Sequence, residues 1–292
     1  IMVYTYHEII KLDQITQATE KKADVMIRIN PGIDAHTHDY IKTGMVDSKF
    51  GVPRNEIAKV VEFIRSKKLL SLVGFHAHIG SQIFETQPFV DEAKLLLDLT
   101  NQYGTNEINL GGGPGIAYLD SDDPLSIASF AEKITSVLIG KTTAKLVLEP
   151  GRSIVGTAGI TLYNVAGIKD IPSVRKYILV DGGMSDNPRP ILYQARYDAK
   201  LANKANDQAV ETVTIGGRFC ESGDILIRDI KLPIVEVADT LAVFGTGAYN
   251  YSMASNYNRV PRPAMVLVKN GRANLIIKRE SYADIVSYDV IS

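Results

Sequence analysis

The feature that most constrains this chain is the alternation, through its first half, of short apolar runs with longer amphipathic stretches. Runs at residues 2–5, 25–29, 72–77, 107–110 and 145–148 are of strand length. Between them, residues 6–19, 53–67, 88–103 and 124–138 carry apolar residues at three- and four-residue spacing, as helices with one buried face do. This alternation is the signature of parallel strands joined by crossover helices. Helix starts are punctuated: Pro53 follows a glycine loop, and Asp122-Asp123-Pro124 offers an N-cap followed by proline in the first turn. Five strand–helix units are too few to close an eight-stranded barrel, so the first half reads as a small open sheet or as part of a barrel.

After about Gly151 the texture changes. β-branched and aromatic runs at 160–165, 177–180, 211–215, 240–244, 265–268 and 273–277 replace the helical period, which predicts a mainly antiparallel β domain. The predicted division is 1–157 and 158–292, with no internal repeat. Lys plus Arg number 32 against 33 Asp plus Glu, so no basic excess exists to track a nucleic-acid backbone. The longest apolar runs, 146–148 and 264–268, fall far short of a membrane span, and a soluble protein is expected. One cysteine, Cys220, excludes an intrachain disulfide and a multi-cysteine zinc site, and suits a reducing cytoplasm.

Several polar or glycine-rich clusters stand where predicted strands end: Arg28-Ile29-Asn30-Pro31, His76-Ala77-His78-Ile79-Gly80-Ser81, Gly111-Gly112-Gly113 and Glu149-Pro150-Gly151-Arg152. The carboxyl ends of parallel strands are where α/β sites form, so the repetition outweighs any single cluster. His76 and His78, two apart, face one side of a strand. They read as metal ligands, with His36 and His38 as a second pair, as structural histidines, or as a ring packed on an aromatic cofactor. A triple glycine lets backbone N–H groups approach an anion. In the β half, residues 181–190 form a polar loop ending in Tyr193, with Arg189 fixed between two prolines; Cys220-Glu221-Ser222-Gly223-Asp224 sets the thiol beside a carboxylate; and Gly245–Tyr251 is glycine-rich.

Taken in order, His78-Ile79-Gly80-Ser81, Gly111-Gly112-Gly113, Glu149-Pro150-Gly151-Arg152, Arg189-Pro190-Ile191-Leu192-Tyr193, Cys220-Glu221-Ser222-Gly223-Asp224 and Gly247-Ala248-Tyr249 resemble the diaminopimelate decarboxylase family. The resemblance runs the length of the chain. It implies a pyridoxal-phosphate enzyme with an alanine-racemase-like fold: here the C-terminal part of a (β/α)8 TIM-like barrel, then an antiparallel β-barrel or β-sandwich. The implied reaction is decarboxylation of meso-2,6-diaminopimelate to L-lysine, the last step of lysine biosynthesis. It further implies that His78 stacks on the pyridine ring and that Ser81, Gly111, Gly112, Gly113, Pro150, Gly151, Arg152 and Tyr249 surround the cofactor and its phosphate. Glu149 would pair with the pyridine nitrogen. Arg152, Arg189, Tyr193, Tyr249 and Glu221 would bind substrate, with Cys220 as general acid reaching the site of the other subunit of a homodimer. No metal is implied. The alternatives are a decarboxylase of ornithine, lysine or a carboxynorspermidine-like compound, and a noncatalytic fragment.

One departure matters. The family carries its cofactor lysine in a Tyr-Ala-x-Lys-Ala-Asn segment near the first barrel strand. Leu201-Ala202-Asn203-Lys204-Ala205-Asn206 is similar only superficially, since it lies between Tyr193 and Cys220, so Lys204 is read as a decoy. By spacing, Ile1 falls near the fourth barrel strand. The chain alone is therefore expected to be inactive, with its first strand an open apolar edge that a partner segment covers.

Overall fold

A computed structural model describes residues 1–33 and 49–290, and the chain divides into two compact units. Residues 1–116 and 123–154 form the first; 117–122 and 155–292 form the second.

In the first unit, β1 Met2–Val3, β2 Ala23–Arg28, β3 Leu70–His76, β4 Glu107–Asn109 and β5 Lys145–Val147 make one sheet in chain order. Every neighbouring pair is parallel. A doubly wound sheet must reverse its strand order at a switch point, and this one does not. It is the wall of a (β/α) barrel, which resolves the choice between open sheet and barrel. The crossovers are α1 Tyr6–Thr19, α2 Ile57–Arg65, α3 Gln87–Tyr103 and α4 Ile127–Leu138. α1 starts where it does because Thr5 and Glu8 form a reciprocal capping box, which also ends β1 at Val3, short of the predicted residue 5. Ile27, Phe75 and Ile108 from the sheet pack with Ile64, Phe89 and Leu96 from the helices. Each such side chain contributes about 1.5–3 kcal/mol on burial.

One predicted boundary is corrected. α4 is capped by Ser126, whose hydroxyl accepts the Ser129 N–H at 3.0 Å, and not by Asp122-Asp123. Asp122 instead accepts the N–H groups of Tyr118 and Leu119 at 2.9 and 3.0 Å, closing its own turn, and Pro124 lies outside the helix. After β5 a single helical turn, α5 Arg152–Val155, begins at Arg152.

The second unit holds β6 Ile160–Ile171, β7 Arg175–Val180, β8 Ala199–Leu201, β9 Glu211–Gly216, β10 Ile225–Leu232 and β11 Thr240–Phe244 in the order β10-β9-β7-β6-β11-β8. All neighbours are antiparallel except β7 and β9. β12 Met265–Lys269 and β13 Arg272–Ile277 form a separate hairpin. Two strands escape the sequence pattern. β8 has only three residues, and β10 breaks its alternation where the register shifts between Ile227 and Ile230, with Asp229 at φ +54°. The stretch 181–190 does not run on as a loop to Tyr193: α6 Arg189–Tyr193 closes it, with Pro190 in the first turn. No helix among the described residues is long and apolar enough to cross a membrane.

Candidate functional site

Parallel strands end on one side of their sheet, so the residues that end β2, β3, β4 and β5 converge. Arg28 ends β2, His76 ends β3 with His78 and Ser81 following, Asn109 ends β4 before Gly111–Gly113, and Glu149-Pro150-Gly151-Arg152 follows β5. The side chain of Glu149 is 48% exposed, yet both oxygens are addressed. Asn109 Nδ2 donates to Oε1 at 2.8 Å, and His76 Nε2 lies 3.4 Å from Oε2. Arg152 is buried and its Nη2 donates to Ser81 Oγ at 3.1 Å, so it is not the surface side chain a bare Glu-x-x-Arg spacing would suggest.

The Gly112 N–H donates to His78 Nδ1 at 3.2 Å. That donor assigns the Nδ1 lone pair and leaves the ring proton on Nε2. Burial, then the Arg28 charge, pulls the His78 pKa down. Burial likewise pulls His76 down to about 4, with Glu149 opposing and Arg28 and His78 assisting. Both imidazoles are neutral near pH 7. Arg28 is itself held by aromatic faces, its guanidinium carbon 4.6 Å from the centre of Phe50 and 5.3 Å from that of Tyr4.

The triple glycine is required by space. A Cβ on Gly112 would meet the Glu149 carbonyl oxygen at 2.5 Å, and one on Gly111, at φ +61°, would meet the Ala77 oxygen at 2.7 Å. Only glycine lets the loops after β3, β4 and β5 touch. The set fits pyridoxal phosphate: a half-exposed carboxylate for the ring nitrogen, a neutral imidazole for the ring face, and glycine amides with an Arg–Ser pair for a phosphate.

In the second unit, Arg189 is 4% exposed. Its guanidinium carbon stands 4.9 Å from the Tyr118 ring centre and 5.6 Å from that of Tyr197, whose hydroxyl accepts from Nη1 at 2.5 Å. This aromatic clamp, more than the flanking prolines, holds the arginine still. Tyr193 ends the same helix. Cys220 and Glu221 are exposed on a turn shaped by buried Asp224, which accepts the N–H groups of Met184 at 2.7 Å and Phe219 at 2.9 Å. A Cβ on Gly217 would stand 2.2 Å from that carboxylate. Glu221 Oε1 accepts the Tyr257 hydroxyl, which pushes the Tyr257 pKa up. Tyr249 is 45% exposed at φ +63°, a backbone conformation costly for a tyrosine and typical of sites. The polar loop before α6 is anchored as well, Asp186 accepting from Tyr163 at 2.5 Å and from the Gly183 N–H at 2.9 Å.

Lys204 is bound elsewhere: its Nζ reaches Glu236 at 2.7 Å, Asp239 at 2.9 Å and the Ile234 carbonyl at 3.0 Å. His36 and His38 lie outside the described residues. Among the described residues no group of three or more His, Cys, Asp and Glu is placed to hold a metal. Of Arg28, His76, Asn109 and Asp224, only His76 has a candidate role in the sequence, open between metal ligand, structural histidine and a ring packed on a cofactor. The first three each end a strand immediately before or within a cluster already noted, and that position was the available signal.

A family profile described as pyridoxal-dependent decarboxylase, pyridoxal binding domain, matches residues 1–156. The diaminopimelate decarboxylase of Synechocystis is 48% identical over 303 residues, covering 100% of this chain and 64% of that protein. That of Bacillus subtilis is 47% identical, covering 99% and 69%. The chain thus spans about two thirds of the length of these curated relatives. Among solved structures, diaminopimelate decarboxylase from Helicobacter pylori in complex with L-lysine superposes with a TM-score of 0.92 at 30% identity, covering 98% of this chain and 72% of that one. The M. jannaschii enzyme in co-complex with L-lysine gives 0.91 at 36% identity, covering 99% and 69%.

Proposed function

The chain belongs to the diaminopimelate decarboxylases, a family of pyridoxal-phosphate-dependent carboxy-lyases, and on that premise we propose that it carries most of the machinery that turns meso-2,6-diaminopimelate into L-lysine and carbon dioxide. The observation that carries this reading is the Glu149 carboxylate, held at the end of β5 by Asn109 and His76 beside neutral His78 and the glycine loop. When bound, pyridoxal phosphate supplies an electron-accepting ring for the pair left by departing carbon dioxide. Glu149 holds a proton on the pyridine nitrogen, which keeps that ring electron-poor. His78 covers one ring face. Ser81, the amides of Gly111, Gly112 and Gly113, and Arg152 hold the phosphate, while Pro150 and Gly151 shape the turn between Glu149 and Arg152.

Arg189, pre-set between Tyr118 and Tyr197, binds a substrate carboxylate with Tyr193; a planar guanidinium matches a carboxylate in two parallel hydrogen bonds. Glu221 takes the distal ammonium. Cys220 returns a proton to the α-carbon as general acid. The Cys220–Glu221 turn serves the site of a second copy, so the working form is a homodimer in the cytoplasm, with the barrel unit binding cofactor and the β unit binding substrate and partner.

The 292 residues contain no Tyr-Ala-x-Lys-Ala-Asn segment, and Lys204 is engaged with Glu236 and Asp239, so the chain alone is expected to bind cofactor without turning over substrate. The test mixes it with a polypeptide carrying the remaining N-terminal third of a family member and pyridoxal phosphate, then measures labelled carbon dioxide. Release from meso-diaminopimelate in preference to ornithine or lysine is expected. Preference for either of the latter moves the assignment to another basic amino acid, and no release from any of them sinks the enzymatic reading in favour of a noncatalytic fragment.

A further inference from the structure

Buried histidines usually answer to the fold: one ring nitrogen donates to a carbonyl, the other accepts or meets solvent. His76 does neither. It is 1% exposed, Nδ1 has no hydrogen-bond partner among the described residues, and Nε2 has Glu149 Oε2 at 3.4 Å, long for a hydrogen bond. An aliphatic side chain would satisfy that pocket without leaving a ring nitrogen unpaired. The polar group that gives the imidazole a purpose is the half-exposed carboxylate at the end of β5.

We propose that His76 is a positioning residue which, with Asn109, presents the Glu149 carboxylate to the pyridine nitrogen while leaving its negative charge intact. This rests on the reading above that Glu149 meets that nitrogen. Each carboxylate oxygen has a second lone pair beyond the one facing Asn109 or His76, so the group can be held from beneath and still accept a proton donor from the open side. A glutamate that far exposed has several rotamers, and two rigid strand-end neighbours select one. The neutral state of the imidazole is part of the arrangement. A cation at this position would pair with Glu149 and compete with the pyridinium for its charge. Arg28 on β2 and His78 beyond β3 both act against protonation of His76, and Glu149 acts for it. Arg28 in turn is parked against Phe50 and Tyr4 and near enough to act by charge alone.

Two measurements on the full chain decide the matter. The first follows the His76 ring nitrogens by NMR in cofactor-free protein containing nitrogen-labelled histidine. The proton is expected on Nε2, with titration only near pH 4. Glu149→Gln, a change at a half-exposed side chain that the fold tolerates, removes the carboxylate that favours the imidazolium and lowers its proton affinity by about tenfold, one pKa step. An unchanged His76 titration in that variant overturns the contact.

The second uses a reduced phosphopyridoxyl-lysine adduct, which needs no anchoring lysine, labelled at the pyridine nitrogen. In the native chain that nitrogen is expected to be protonated at neutral pH. His76→Phe keeps bulk without a donor and should lower the nitrogen's proton affinity at least about tenfold. His76→Gln restores an N–H and should recover most of it. Removing a donor makes any carboxylate intrinsically more basic, so an unchanged or raised affinity in His76→Phe with the adduct bound would refute positioning. Should His76→Phe fail to fold, the Glu149→Gln titration and the Gln variant still decide. If the native chain does not take the adduct at all, the cofactor reading fails, while the first measurement still judges the His76–Glu149 contact.

Discussion

Acid should weaken the barrel unit through His76 before it touches most carboxylates. The imidazole has a pKa of about 4 in the folded unit against the ordinary 6.5. The unfolded chain therefore binds a proton that the folded one refuses. The unit should lose stability as pH falls through 6.5 and stop losing it on this account below about 4, where both states are protonated. At about 1.4 kcal/mol per tenfold change in proton affinity, the gap amounts to roughly 3 kcal/mol. The ring is 1% exposed, so solvent screening does not discount it. Against a domain stability of about 5–15 kcal/mol this is a large share. His78 is shifted the same way and adds to the trend. Urea unfolding followed by helical circular dichroism reads the right unit, because α1 to α4, the longest helices, all belong to it. The difference in stability between the native chain and His76→Gln should shrink by roughly 3 kcal/mol in the variant's favour between about pH 7 and pH 4. Parallel pH dependence in the two proteins would refute the reasoning.

Asp224→Ala leaves the Met184 and Phe219 amides without their acceptor, at about 1–3 kcal/mol each, partly offset because burial already raises this carboxylate's pKa. Lower melting temperature and faster proteolysis across the turn 219–223 are expected. Gly112→Ala drives a Cβ to 2.5 Å from the Glu149 carbonyl, an overpacking cost of about 1–3 kcal/mol, and should lose affinity for the phosphopyridoxyl adduct. Gly104→Ala, with no atom within 4 Å, should cost only its left-handed backbone, about 1 kcal/mol, and keep that affinity. Lys204→Met should leave adduct binding intact and cause a small, salt-sensitive stability loss, since its ammonium serves Glu236 and Asp239; lost adduct binding would restore it as a cofactor residue.

Much of the barrel half was legible. α1 is legible at 6–19 from its three- and four-residue apolar spacing alone, and the capping box at Thr5 and the left-handed end at Glu20 fall at the same bounds. The start of α4 was misread because Asp122-Asp123-Pro124 has the composition of a helix start, while the acceptor that Ser129 meets is Ser126. In the β half, β10 was hidden by Arg228 and Asp229 at a bulge, where two residues crowd one partner position and the alternation slips. The glycine loop and Glu149–Arg152 announced a site by type and order, yet the residues that support them did not. Asn109 looks in sequence like an ordinary strand end, and His76 stands out only as half of a His-x-His pair whose partner carboxylate, Glu149, lies far along the chain.

What the sequence alone determined is therefore local and ordinal: the periods that make strands and helices, the order of motifs at strand ends, and through that order the family. Only the tertiary structure decided which side chains share a space. Strand order 1 to 5 distinguishes a barrel wall from an open sheet, yet both have the same alternation of elements. Residues 76, 109 and 149, far apart along the chain, meet because parallel strands end on one side and register sets His76 opposite Asn109. The proton affinity of His76 belongs to that meeting, since burial and the charges of Arg28 and Glu149 act through space, and spacing along the chain does not carry them.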